Sequence, residues 1–132
     1  MTQRNIDVMD IIVNKMAEGD TLSKALKRVY NKRNVAIPYN EEIYGVAITA
    51  LPMSNRTVNT VMRGKLKTIG EVIEFCKHHK ITDITNLGKN SGIELFETIL
   101  DYCWDCLSQK ERISFLIDTV ERNSEHIRPE IM

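Results

Sequence analysis

Between Ile93 and Leu107 apolar side chains recur every three or four positions, at Ile93, Phe96, Ile99, Leu100, Cys103 and Leu107. Only an α-helix turns such a spacing onto one side. The same period returns at Ile6, Met9, Ile12, Val13 and Met16, at Leu22, Ala25, Leu26 and Val29, and at Ile113, Leu116, Ile117 and Val120. Shorter runs carry it at Ile43, Val46, Ala47 and Ala50, and at Val58, Val61 and Met62. No stretch alternates apolar and polar residues as a half-buried strand does, and no repeat of solenoid length is visible. The expected fold is all-α.

Capping residues punctuate these stripes. Gly19 is a natural stop for the first helix, and Asp20 or Thr21 opens a second that is expected to end near Asn34. Pro38 breaks the pattern, and Tyr39-Asn40-Glu41-Glu42 starts a short third helix. Ser54 caps the next and Gly64 follows it, while Thr68 and Glu71 have the spacing of a capping box for a helix reaching about His78, with Val72, Ile73 and Cys76 inward. After a turn holding Ile81 and Ile84, the longest helix begins at Lys89 or Asn90 and runs to about Leu107. Ser108 and Glu111 repeat the capping-box spacing for a last helix, and a frayed tail is expected from Asn123. The chain thus divides into an N-terminal helical pair (1–40), a central module (41–107), and a C-terminal helix with its tail (108–132).

At 132 residues the chain can bury a core without a metal or disulfide to brace it. Three cysteines, an odd number, fit reduced thiols, and the polar N-terminal segment does not read as a secretion signal, so a cytoplasmic protein without a membrane segment is expected. Basic and acidic residues balance at 18 each, but unevenly along the chain. Lys24, Lys27, Arg28, Lys32 and Arg33 crowd the segment from Asp20 to Val35, whereas acids dominate after Cys103. A polyanion would meet the first half rather than the tail.

The turn Asn86-Leu87-Gly88-Lys89-Asn90-Ser91 puts a glycine, small polar groups and a base at the start of the longest helix, where backbone N–H groups lack internal partners. Such an end can bind a phosphate through the Gly88 and Asn90 amides and the Ser91 hydroxyl. A second polar edge is offered by Arg56, Asn59 and Arg63, on the outer face of a helix whose other side is apolar. Taken alone, a glycine at a helix start is commonplace, and a polar outer face is most simply a solvated surface.

The blocks Leu51-Pro52-Met53-Ser54-Asn55-Arg56-Thr57-Val58-Asn59-Thr60-Val61, Thr68-Ile69-Gly70-Glu71-Val72-Ile73 and Asn86-Leu87-Gly88-Lys89-Asn90-Ser91 occur in this order. Together they resemble the C-terminal domain of the bacterial RNA polymerase alpha subunit, over about residues 51–100. The resemblance implies a compact domain of helix-hairpin-helix character that reads the minor groove of A+T-rich DNA. It also implies DNA-contacting roles for Arg56, Asn59, Asn86, Gly88 and Ser91, with Glu94 at a less direct contact position. An arginine in a narrow A+T-rich groove is drawn by its enhanced negative potential.

Several positions depart from that family. Asn90 stands where a second lysine is usual, which removes a phosphate partner and should weaken the salt dependence of binding. Gly92 replaces a larger apolar residue, and one extra residue lies between Gly70 and Leu87. Ala50 and Pro52 occupy the positions of acidic residues that contact the sigma factor, so that partner surface is not carried over. The first 40 residues do not match the subunit's assembly domain.

Other readings compete. Two N-terminal helices joined at Gly19-Asp20 allow a helix-turn-helix in which Lys24, Lys27, Arg28 and Lys32 meet DNA, against a plain amphipathic helix. Cys103 and Cys106, with Cys76, His78 and His79, have zinc or redox spacing. That pair falls late in a helix, however, where Cys103 is a core position, so no metal or cofactor is expected. No catalytic constellation is legible, and an enzyme or a small-molecule site is not expected. The leading expectation is a non-enzymatic DNA-binding accessory of bacterial or phage transcription. It contacts DNA through Arg56, Asn59, Arg63, Asn86, Gly88, Lys89, Asn90, Ser91 and Glu94, with RNA polymerase or a transcription factor as a further partner. The alternatives are an interaction module docking through the acidic C-terminal helix and the apolar positions near Phe115, and a helix-hairpin-helix accessory of DNA repair or recombination.

Overall fold

The computed structural model describes residues 1–131, which are mostly helical, with a non-helical stretch over 30–40. Among them there is no β-strand, and extended pairing is confined to two isolated bridges, Tyr30 with Ile127 and Ala47 with Thr68. The fold class is all-α. No helix of the described residues is long and apolar enough to cross a membrane. The chain forms two units, one continuous from Tyr39 to Cys106 and one assembled from Met1–Pro38 together with the segment from Leu107 onward. The three expected segments are therefore two bodies, because the outer segments fold with each other.

In the two-part unit, α1 (Gln3–Ala17) packs on α2 (Leu22–Val29) and on α7 (Gln109–Arg122). Side chains of Thr2, Thr21 and Ser108 accept hydrogen bonds from the first-turn amides of α1, α2 and α7. The expected stripe of α2 is buried at Leu22, Ala25, Leu26 and Val29. On α1 the buried face is Asn5, Val8 and Ile12, while Ile6 and Val13 are exposed. This helix is apolar on more than one side, and the register that lets Asn5 donate to Ser124 Oγ at 3.0 Å selects the face turned inward. On α7, Phe115, Leu116 and Val120 are buried, Ile117 is half-buried, and Ile113 is exposed.

Two expectations fail in this unit for one reason. The second helix stops at Val29 rather than near Asn34, and the segment after Asn123 is ordered rather than frayed. The chain becomes extended at Tyr30 so that it can bond to the C-terminal segment: Asn31 N–H donates to the His126 carbonyl at 2.9 Å and Arg128 N–H to the Val29 carbonyl at 2.8 Å. Buried Asn123 holds the pair together. Its Oδ1 accepts from Asn34 N–H at 2.7 Å, and its Nδ2 donates to the carbonyls of Asn34 at 3.1 Å and Thr119 at 2.8 Å.

The continuous unit contains α3 (Glu41–Tyr44), α4 (Asn55–Arg63), α5 (Ile69–His78) and α6 (Lys89–Cys106). Its core gathers Ile43, Ile48, Val61, Ile69, Val72, Ile84, Leu87, Leu95, Leu100 and Cys103. Removing each such side chain from water contributes about 1.5–3 kcal/mol. Ile48 is buried while Ala47 and Ala50 are exposed, because α3 ends at Tyr44 and Ala47 pairs with Thr68 instead of extending a helix. Thr57 takes an inward place on α4, leaving Val58 and Met62 half-buried. Ile73 is half-buried and Cys76 exposed on α5. On α6, Leu95 and Trp104 are buried while Ile93 is exposed and Phe96 half-buried.

Two glycines permit close approaches here. A Cβ at Gly70 would lie 2.9 Å from Tyr44 Cβ and 2.9 Å from its carbonyl, so glycine lets α5 press against α3. Gly64, after α4, is crowded by Val61 O and Ile84, and the left-handed residue of that helix end is Lys65, at φ 65°.

Candidate nucleic-acid interface

Helix α4 starts at the N-cap Ser54, whose Oγ accepts from Thr57 N–H. Arg56 sits in the first turn, and Asn59 and Arg63 follow three and seven residues later, so the three share one face and all are exposed. Among the described residues no carboxylate forms an ion pair with Arg56 or Arg63, which leaves both cations available to a ligand.

The turn before α6 is held by its apolar members. Ile84 and Leu87 are buried, and Leu87 N–H donates to the Ile84 carbonyl at 3.0 Å. Between them Asn86 adopts φ 65°, a left-handed conformation that asparagine tolerates better than most side chains. Asn86, Gly88, Lys89 and Asn90 are exposed and Ser91 is half-buried. Gly88 occupies the cap position, its carbonyl accepting from Gly92 N–H at 2.9 Å. The caps of α1 to α5 and of α7 are Thr, Asn or Ser side chains that accept from the first turn. Glycine has no side chain with which to do so, and a Cβ there would meet nothing within 4 Å. The start of α6 is therefore open to an external anion.

Glu94 joins the two edges. One of its carboxylate oxygens accepts from Ser54 Oγ at 2.9 Å and from the Thr57 hydroxyl, and the other accepts from Ser54 N–H at 3.2 Å. Those bonds hold its carboxyl below the usual glutamate range, with the Thr57 hydroxyl the largest cause and burial acting the other way. Asn90 and Ser91 lie four and three residues before Glu94, on the same side of α6. The clasp thus places the first turn of α4, with Arg56, beside the face of α6 that carries Asn90 and Ser91. Glu94 was expected near DNA as an indirect contact; its acceptor capacity is directed into the protein. Sequence marked Ser54 as a cap and Glu94 as a site residue, but not their bond, and it missed Thr57.

The second group of bases is arranged differently. Lys24, Lys27 and Arg28 are exposed on α2, but Arg28 donates to Asp20 at 2.6 and 3.3 Å, and Lys32 lies beyond the end of the helix. Asp20 is pushed down and Arg28 up, chiefly by their shared hydrogen bond. Lys24, Lys27, Arg28 and Lys32 therefore do not form one unencumbered helical face.

Cys103 is buried, and desolvation pushes its thiol up to about 12, whereas Cys106 and Cys76 are exposed. Among the described residues no three His, Cys, Asp or Glu side chains gather around a metal position. A groove of about 610 Å³ opens along α5, lined by Tyr44, Phe75, His78 and His79 among others. Compared with protein-family models, with curated proteins and with solved structures, the chain matches none.

Proposed function

We propose that residues 39–106 form a non-enzymatic DNA-contacting module of helix-hairpin-helix character, serving bacterial or phage transcription. In this reading Arg56 enters the minor groove of A+T-rich DNA, and Asn59 and Arg63 follow the same groove edge. The open amides at Gly88 and Asn90, with Lys89, Asn86 and the Ser91 hydroxyl, take the backbone phosphates. The observation that supports it is the Glu94 clasp, which ties the first turn of α4, where Arg56 is exposed, to α6 one turn after Asn90 and Ser91. The passage from α5 through the turn ending at Gly88 into α6 supports the helix-hairpin-helix description. In the alternative reading, docking through the acidic α7 and the apolar positions near Phe115, Ile113 is exposed and available while Phe115 itself is buried.

The test is fluorescence anisotropy of an A+T-rich duplex at low salt with the native chain and Arg56→Ala. The native protein is expected to bind with an affinity that falls as salt rises, and Arg56→Ala to weaken it about tenfold or more, in the range of about 1–3 kcal/mol for a groove-reading arginine. Absence of any salt-dependent binding by the native protein refutes the proposal. A duplex of G+C-rich sequence and a branched duplex in the same assay separate groove reading from the structure preference of a repair accessory.

A further inference from the structure

We infer that Glu94 is a positioning residue for this DNA edge, holding Ser54 and Thr57 on either side of Arg56 and so fixing the stance of that arginine against the Gly88 turn. The inference rests on the DNA-contacting reading and goes beyond it, because it assigns the one acidic member of the set a role that involves no contact with DNA.

Three facts carry it. Among the described residues Glu94 bonds through its carboxylate to residues 54 and 57, and these bracket Arg56 within the first turn of α4. Its two oxygens take three donors, one a backbone amide, and that combination fixes both the height and the rotation of the helix end. Its own place on α6, one turn after Asn90 and Ser91, refers that geometry to the candidate phosphate site.

Charge gives the idea a sign. A carboxylate that merely sat beside bound DNA would repel it, and removing it would tighten binding. A carboxylate that positions Arg56 acts in the opposite sense, since without it the guanidinium must be ordered again on each binding event.

The native chain, Glu94→Ala, Arg56→Ala and the double variant are titrated against the A+T-rich duplex over a range of salt, well below each thermal midpoint. Glu94→Ala is expected to weaken binding about tenfold, the scale of losing hydrogen bonds to a charged group. It is also expected to lower the salt slope by about the same increment as Arg56→Ala. The double variant should bind no more weakly than Arg56→Ala alone, as required when one residue acts through the other. A purely structural loss would add to that of Arg56→Ala. Affinity of Glu94→Ala equal to or tighter than native, or additive losses in the double variant, overturns the inference. Should Glu94→Ala fail to fold, Thr57→Val serves in its place. It keeps the shape and the Ser54–Glu94 bonds but removes the Thr57 hydroxyl from Glu94 and from Ser54 Oγ, and a severalfold loss is expected, with unchanged affinity overturning the inference. Failure of the native protein to bind at any salt refutes the DNA reading itself, and the inference falls with it; that result is distinct because it is seen before any substitution.

Discussion

Glu94 and Ser54 stand forty residues apart in the chain and are joined twice, by the Ser54 hydroxyl at 2.9 Å and by the Ser54 backbone N–H at 3.2 Å. One carboxylate thereby serves as a cap for a helix other than its own. It contributes at the N-terminus of α4, where a negative charge is stabilised by the helix dipole.

That relationship sets a pH dependence. The folded carboxyl of Glu94 titrates below its unfolded value, so its contribution is complete above the ordinary glutamate pKa of about 4.3 and is lost as pH falls through the lower folded value. Urea unfolding between about pH 5 and about pH 3 is expected to show a steeper fall in stability for the native chain than for Glu94→Gln, which has no such charge to lose. Parallel profiles would show that the bonds to Ser54 and Thr57 do not favour the ionised form.

Gly70 and Gly88 should respond unequally to alanine. At Gly70 the added carbon meets Tyr44 at 2.9 Å, including backbone that cannot swing away, and a loss of about 1–3 kcal/mol is expected. At Gly88 the carbon enters open space, so stability should fall by no more than about 1 kcal/mol, the scale of a changed cap. Chemical denaturation of the two variants measures both, and a Gly70→Ala protein as stable as native would show that α3 and α5 yield at Tyr44.

Asn123→Ala should cost more than a typical surface change. It removes the side-chain partner of the Asn34 N–H and of the Asn34 carbonyl beside a position that is itself fully buried, at about 1–3 kcal/mol for groups left without their partner, while the Thr119 carbonyl keeps the Asn123 backbone N–H. Hydrogen exchange should find the Asn34 amide protected in the native protein and released in the variant. Rapid native exchange at Asn34 would count against the clamp.

The thiols should separate by reactivity. Cys76 and Cys106 are exposed and should be alkylated in the native protein, while Cys103, buried and with its thiol pushed up to about 12, should react only on unfolding. Mass spectrometry after a timed pulse of iodoacetamide reads the pattern directly. Equal labelling of all three would mean that α6 opens readily at Cys103.

Helix starts were the most legible feature, because a cap is a local event: Thr21, Ser54, Thr68 and Ser108 each act where sequence places them. Inward faces were less so. At Ile6, Val13, Ile93 and Ile113 an apolar stripe was wide enough to be docked in more than one rotation, and long-range partners chose. The C-terminal segment read as a tail because its anchors, Val29, Asn31 and Asn34, lie some ninety residues earlier. For the same reason the candidate site was legible as two edges, Arg56 and Gly88, and the Glu94 bond that relates them was not.

The division of the chain sets an order of events during synthesis. Residues 39–106 are contiguous and can acquire their core as soon as they leave the ribosome, whereas α1 and α2 must wait for α7 and Asn123 before their unit closes. The closing contact spans 89 residues, a long loop by the standard of small helical domains, and such contacts form slowly. During that interval α1 lacks α7, one of the two helices on which it packs, and the buried apolar residues Val8 and Ile12 of α1 sit on a helix whose unit is not yet complete.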